Sequence, residues 1–282
     1  MATNWRCGRF EFDLKRPVVM GILNVTPDSF SDGGQHATLD AAIRHAKLLI
    51  EQGAQIIDVG GESTRPGAEP VSVREELDRV VPVVEALRHM DVAISIDTCK
   101  ATVMRAALDL GADIINDVTG FRDPESFALV SSHPDCGLCV MHMQGEPRSM
   151  QASPVYQNVV QEVLRELAAK ARELEDVGID KARICLDPGF GFGKTLAHNY
   201  DLLRHLDQLV ALQYPVLAGV SRKSMIGLVT DRTTEERMVG SVAAALMAVM
   251  AGARVVRVHD VAPTVDALKV WQAMAFGPEN NK

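Results

Sequence analysis

Arg183-Ile184-Cys185-Leu186-Asp187-Pro188-Gly189-Phe190-Gly191-Phe192-Gly193-Lys194 is the stretch from which the fold can be read. Three of its first four residues are apolar, the fifth is a carboxylate, and the backbone then turns on a proline and three glycines. The run reads as a buried strand that ends on a charge. Pro188 fixes its own φ, and the glycines permit positive φ or close approach to a ligand. A carboxylate at a buried strand end is costly unless a partner of opposite polarity binds it.

Outward from that stretch the same pattern recurs. Val18-Val19-Met20-Gly21-Ile22-Leu23-Asn24, Ile56-Ile57-Asp58-Val59-Gly60, Ala93-Ile94-Ser95-Ile96-Asp97 and Ile114-Ile115-Asn116 precede it. Leu138-Cys139-Val140-Met141-His142 stands just before it, and Val216-Leu217-Ala218-Gly219 and Val255-Val256-Arg257-Val258-His259 follow. Near-continuous Val/Ile/Leu runs are what parallel strands buried on both faces require. Helical periodicity fills the gaps, at about 39–52, 73–88, 100–110, 124–132, 155–177, 196–206, 234–251 and 261–276. Eight β/α units predict a (β/α)8 TIM barrel, with a doubly wound sheet as the alternative. No Pro/Gly/Ser-rich linker interrupts the alternation, so one domain is expected over 1–282, with its core at about 17–276. Before it, residues 5–14 alternate polar and apolar, as a short hairpin or barrel floor would.

Of the 282 residues 47% are hydrophobic, enough for one large core, and the net charge is −8. With no basic run and no aromatic–basic interleaving, nucleic acid is not an expected partner. Residues 1–13 contain no apolar signal core, and no run of about 18 apolar residues occurs, so neither secretion nor a membrane is expected. Five cysteines at irregular spacing suggest a reducing cytoplasm. Cys136-Gly137-Leu138-Cys139 has redox-motif spacing, but Cys139 falls within a strand rather than at a helix start.

In such barrels the C-terminal strand ends build the site. Here they supply Asn24, the Thr64-Arg65 loop, Asp97, Asn116, Met141, Asp187, the Lys223 loop, Arg257 and His259. Any single strand-end Asp more often caps a helix or pairs with a lysine. Eight or more polar residues converging on one mouth would each need a separate structural partner. Asp97, Asn116 and Asp187 offer acceptors for a flat heterocycle with adjacent N–H donors. Met141 and Phe190 offer apolar walls. Arg65, Lys223, Arg257 and His259 suit phosphate oxygens. The expected ligand therefore has a guanidine-like heterocyclic end and a phosphorylated end. Arg257 and His259, two residues apart, share a face. His142 points the other way and is expected to be structural, and Asp58 and Glu62 are expected to be partners of the second loop.

Gly21-Ile22-Leu23-Asn24-Val25-Thr26-Pro27-Asp28-Ser29-Phe30-Ser31-Asp32-Gly33-Gly34 resembles the first signature of the dihydropteroate synthases. Asp58-Val59-Gly60-Gly61-Glu62-Ser63-Thr64-Arg65-Pro66-Gly67 resembles the second. Asp187 to Lys194, Ser221-Arg222-Lys223-Ser224 and Arg257-Val258-His259-Asp260 complete a resemblance that covers about 17–275, with no departure at a position the family uses.

The resemblance implies a transferase of folate biosynthesis. It would join p-aminobenzoate to the methylene of 6-hydroxymethyl-7,8-dihydropterin diphosphate, in a homodimeric barrel with Mg2+ accompanying the diphosphate. Asp97, Asn116, Met141, Asp187, Phe190 and Lys223 would hold the pterin. Asn24, Thr64, Arg257 and His259 would hold the diphosphate, with Asn24 on the metal. Phe30, Arg65, Pro66, Lys223 and Ser224 would form the p-aminobenzoate pocket, where sulfonamides compete. Asp32 would stabilise the reacting methylene or take the amine proton, beside Asp97, Asp187, Lys223, Arg257 and His259 as the catalytic set. The expected reaction is a dissociative, SN1-like substitution, without an enzymic nucleophile. On this reading the glycines after Asp187 are a lip against the ring, not a phosphate loop. The long loops 25–38 and 61–71 are expected to be mobile without ligand. A helix at 238–251 that is apolar nearly all round is expected to form the dimer interface. Two rival readings share the scaffold: a methyltetrahydrofolate methyltransferase and a non-enzymic pterin-binding protein. The Lys223, Arg257 and His259 cations and the intact first loop favour the synthase over both.

Overall fold

A computed structural model describes residues 2–26, 35–63, 69–145, 150–151 and 154–278. Two short strands, β1 (Asn4–Cys7) and β2 (Phe10–Asp13), form an antiparallel hairpin. The barrel strands are β3 (Val18–Asn24), β4 (Ile56–Gly60), β5 (Ala93–Asp97), β6 (Ile114–Asp117), β7 (Gly137–Met141), β8 (Ile184–Asp187), β9 (Leu217–Ala218) and β10 (Val255–Val258). They pair in parallel in the order β8-β7-β6-β5-β4-β3-β10-β9, and a bridge between Leu186 and Val216 joins β8 to β9 and closes the ring. The expected (β/α)8 barrel with an N-terminal hairpin is therefore the observed fold.

The helices between the strands are α1 (Gln35–Glu51), α2 (Val73–Leu87), α3 (Ala101–Asp109), α4 (Pro124–Ser132), α5 (Val159–Asp176), α6 (Leu196–Arg204), α7 (Leu206–Val210), α8 (Ser224–Thr230), α9 (Met238–Met250) and α10 (Val261–Phe276). Side-chain caps fix several starts. Ser72 and Glu75 form a capping box on α2, and Asp123 caps α4 ahead of Pro124. Asn158 caps α5, which is why that helix begins at Val159 rather than near 155. The helix expected over 196–206 stops at Arg204 and restarts as α7, because His205 leaves the helical conformation (φ −112°, ψ 26°). The region expected to open at 234 begins as a 3-10 turn, Thr234–Glu236, before α9. The expected mobility of the two long loops concerns mainly 27–34 and 64–68, which lie outside the described residues.

Strand parity divides the interior. Val19, Ile57, Ile94, Ile115, Leu138, Ile184, Ala218 and Val256 point outward and pack with helix residues such as Val80, Val84, Val103 and Leu167. Their neighbours Val18, Met20, Ile56, Ala93, Ile114, Cys139, Cys185, Leu217 and Val255 point inward and share a cluster with Trp5, Cys7, Phe12 and Leu14. The hairpin is thus the floor of the barrel. It is latched by Trp5, whose Nε1 donates to the Arg183 carbonyl at 3.0 Å. A fork from Arg9 to Asp113, at 3.0 and 2.8 Å, makes a second latch.

Trp5 is fully buried under all the strands. Trp5→Ala should lower the unfolding free energy by about 3–5 kcal/mol, measured by urea titration. A loss below about 1 kcal/mol would show that the hairpin is not part of the core.

Candidate functional site

Above the floor the inward positions turn polar. Asp58, Ser95, Asn116, Asp187 and Arg257 each stand two residues beyond a floor residue of their own strand, and Asp97 stands four beyond Ala93. Arg257 ties this layer together. Its Nε donates to Asp58 Oδ2 and its Nη2 to Asp97 Oδ2, both at 2.6 Å. Ser95 Oγ donates to Asp58 Oδ1 at 2.6 Å, and Asn116 Nδ2 reaches the two Asp58 oxygens at 3.4 and 3.3 Å. Both oxygens of the fully buried Asp58 are therefore occupied. Asp97 differs, because its Oδ1 is buried and has no hydrogen-bond partner among the described residues.

Asp187 accepts the Gly189 N–H at 2.7 Å. That turn requires glycine: φ is +67°, and a Cβ there would lie 2.0 Å from the His142 carbonyl. Beyond it, the Phe190 carbonyl accepts the Lys223 ammonium. Lys223 follows Arg222, which sits in left-handed conformation (φ 55°) and is held there by its own contacts. The Arg222 guanidinium forks onto Asp260 at 3.0 and 2.5 Å, and its N–H donates to Ser241 Oγ at 2.8 Å. Ser221 Oγ in turn accepts the His259 N–H at 3.1 Å and lies 3.0 Å from His259 Nδ1. Asn24 closes the ring at the top of β3, in register with Gly60 and, through it, Asp97.

Burial sets the protonation behaviour. It pushes the Asp97 carboxyl up to about 7, against the pull of the Arg257 guanidinium. Asp187 is also raised by burial, with Lys223 opposing. The Lys223 amine is pushed down to about 8 by burial, with Asp187 opposing. Burial also works against the Arg257 charge, but Asp58 and Asp97 more than offset it and the guanidinium stays charged.

The structure brings together Asn24, Asp97, Asn116, Met141, Asp187, Lys223, Arg257 and His259 at one end of the barrel, and leaves Ser224 exposed at the start of α8. Three expectations need correction. Phe190 is not an apolar wall: its ring is fully buried in the helix-side core, and only its carbonyl serves the site. Phe192 takes that place, packed on Val118, Met141, Met143 and Met150, with the Lys223 ammonium 4.7 Å from its ring centre. Asp58 is not a partner of the second loop but the anchor of Arg257. The division into separate acceptor and cation groups also fails, since Arg257 is clasped by Asp58 and Asp97. Glu62 behaves as expected, accepting the Val71 N–H at 2.9 Å and pairing with Lys100 at 2.6 Å. Phe30, Asp32, Thr64, Arg65 and Pro66 lie outside the described residues. The Cys136 thiol is buried and pushed up to about 11, which makes it a poor thiolate.

Comparison with known proteins gives a consistent answer. Residues 20–259 match the family described as pterin binding enzyme. The dihydropteroate synthase of Haemophilus influenzae is 54% identical over 266 residues, covering 93% of this chain and 96% of that one. The Burkholderia cenocepacia dihydropteroate synthase solved with 7,8-dihydropteroate superposes with a TM-score of 0.89 at 52% identity, covering 97% of each chain. The Yersinia pestis enzyme solved with a sulfonamide drug superposes with a TM-score of 0.91 at 48% identity, covering 96% of this chain and 99% of that one.

Asp58 and Asp97 predict opposite stability effects. Asp58→Ala removes one of the two carboxylates that hold the Arg257 guanidinium and takes the acceptor from Ser95 and Asn116, and should cost about 3–5 kcal/mol. Asp97→Asn removes a carboxylate that burial disfavours, and should leave Tm equal to or above that of the parent. A carboxyl raised in the folded state contributes stability at low pH that is lost as pH rises through about 7. The advantage of Asp97→Asn should therefore be present at pH 8 and shrink toward pH 5, read by thermal unfolding across that range.

Proposed function

The chain belongs to the pterin-binding enzyme family and, within it, to the dihydropteroate synthases; on that premise we propose how its residues join p-aminobenzoate to 6-hydroxymethyl-7,8-dihydropterin diphosphate, giving 7,8-dihydropteroate and diphosphate. One observation carries the assignment of the pterin end: Asp97 Oδ1 is buried and unpartnered among the described residues. An acceptor in that state is relieved by an N–H donor. Asp97 and Asp187 would accept the ring N–H and amino group of the pterin, with Asn116 beside them and Met141 and Phe192 as walls.

The chemistry follows from where charge develops. As the methylene C–O bond breaks, positive charge spreads from the methylene into the electron-rich dihydropterin, and negative charge grows on diphosphate. Ionised Asp97 and Asp187 stabilise the first, and Arg257, His259 and Asn24 the second. Lys223, tied to the lip through the Phe190 carbonyl, would stand between the two substrates. Once diphosphate has left, the aniline nitrogen attacks the methylene cation from the mouth, forming the C–N bond and passing its proton to Asp32, and no enzymic nucleophile takes part. Asp32 as proton acceptor, Thr64 as a diphosphate contact, and Phe30, Arg65, Pro66 and Ser224 around p-aminobenzoate rest on the resemblance. A sulfonamide would compete in that pocket.

Among the described residues no cluster of three or more His, Cys, Asp or Glu is placed to hold a metal. The half-buried Asn24 supplies one amide oxygen, which suits Mg2+ carried in on diphosphate with several waters rather than a resident ion. When bound there, the ion would neutralise the leaving group.

A homodimer would have a specific surface to form through. Val239, Met247 and Met250 form an exposed stripe on α9, 73%, 58% and 64% accessible, and α10 beside it exposes Val270, Met274 and Phe276. An apolar patch of this kind suits a self-complementary contact with a second copy. Among the described residues no helix is long and apolar enough to cross a membrane, and with five unpaired cysteines a reducing cytoplasm is the compartment we assign.

Diphosphate release should require both substrates and Mg2+, stop with EDTA, and be inhibited by a sulfonamide; no release with all three present would sink the assignment. Asp97→Asn should weaken binding of the pterin by about tenfold or more, the weakening of the one charge-assisted hydrogen bond that Asp97 Oδ1 can offer, as read by calorimetry. Light scattering at micromolar concentration should give twice the chain's mass, and Val239→Arg should halve it.

A further inference from the structure

The glycine stretch ends in a lysine that neither the substrates nor the reaction uses. Lys194 is 3% exposed, so its ammonium lies inside the protein and not at the mouth. It donates to the carbonyls of Gly189 at 3.0 Å, Phe192 at 2.9 Å and His142 at 3.3 Å, and stands 3.0 Å from His142 Nδ1. Burial pushes the Lys194 amine down to about 7, with Asp187 opposing; in the ammonium form its three protons meet four acceptors, two on the lip and two at the end of the neighbouring strand β7. Burial pushes the His142 imidazole down to about 3, so it is neutral. Its Nδ1 then accepts from Lys194, while its Nε2–H faces Glu166 Oε2 on α5 at 3.2 Å.

The lip this lysine seizes makes two connections into the site. The Gly189 N–H fixes Asp187 Oδ1, and the Phe190 carbonyl fixes the Lys223 ammonium. Gly189, Gly191 and Gly193 all have positive φ and carry no side chains to hold it. Hydrogen bonds hold it instead: the Gly191 N–H donates to Asn199 Oδ1 at 2.7 Å, Gln151 Nε2 donates to the Gly191 carbonyl, the Tyr156 hydroxyl donates to the Gly193 carbonyl at 3.0 Å, and Lys194 ties the Gly189 and Phe192 carbonyls to His142.

We propose that Lys194, seated on His142, is the positioning residue of the lip, holding Gly189 to Phe192 in the conformation that aims Asp187 and Lys223 at the substrates. The inference rests on the pterin reading above. The obvious alternative for a lysine after spaced glycines is a phosphate contact, and the depth of the ammonium argues against it.

Lys194→Met keeps the stem and removes the donors. Its affinity for 6-hydroxymethyl-7,8-dihydropterin, without diphosphate, should fall about tenfold or more, equivalent to about 1.4 kcal/mol, as measured by calorimetry. The affinity for the diphosphate-bearing compound should fall by the same factor, and KM for p-aminobenzoate should rise with it through Lys223. A lower Tm with affinities, KM and kcat within twofold of the parent would reduce Lys194 to a structural residue and overturn the proposal. So would a loss confined to the diphosphate-bearing ligand. Should Lys194→Met fail to fold, His142→Ala removes the seat alone; unchanged pterin affinity in that variant overturns the proposal, and a loss of about threefold or more sustains it. A parent protein that binds no pterin would defeat the functional reading, an outcome distinct from variants that match an active parent.

Discussion

Arg257 holds Asp58 with one nitrogen and Asp97 with another, in a parallel barrel where only 18% of its own side chain meets solvent and the two carboxylates meet almost none. Removing such ions from water costs several kcal/mol each, and their mutual attraction offsets this only with further hydrogen bonds in place. Ser95 and Asn116 supply those bonds to Asp58. Asp97 is left half satisfied, and with Asp187 the inward layer counts three carboxylates against the two cations Arg257 and Lys223. A layer arranged this way is stable as a scaffold yet has one acceptor to spare, and a ligand bearing N–H donors completes it. Where the floor below makes the barrel stable, this layer makes it selective.

The fold was legible because parity and run length are local properties. Eight apolar runs of strand length separated by helical periodicity leave little besides a closed parallel barrel, and the alternation in 5–14 announced the hairpin. What failed to show were features decided by tertiary contact. Helix α8 is only seven residues long and begins beside Lys223, where the sequence reads as loop. The break at His205 leaves apolar periodicity intact across two short helices.

In the site, residues at strand ends were legible and the residue one step below was not. Asp58 lies in the middle of β4, so a search of strand termini passes over it. The signal was nonetheless present: it shares parity with Ile56 and is in register with Ser95 on β5. Phe190 was misassigned for the converse reason. Proximity to Asp187 in sequence suggested proximity of the ring to the ligand, but the positive-φ turn at Gly189 sends the next side chain outward and brings Phe192 in. The phosphate loop that the spacing before Lys194 imitates was set aside by the resemblance alone, but only burial shows where its amine lies.

The sealed floor has a consequence for traffic. Trp5, Cys7, Phe12 and Leu14 close one end, so among the described residues the chamber opens only at the other. Two reactants must enter and two products leave through it. On the proposed placement, a pterin on the Asp97–Asn116–Asp187 layer would lie beneath an arylamine near Ser224 at the rim, and the upper occupant would block the exit of the lower. The joined product would then have its heterocycle deepest and would withdraw as one piece.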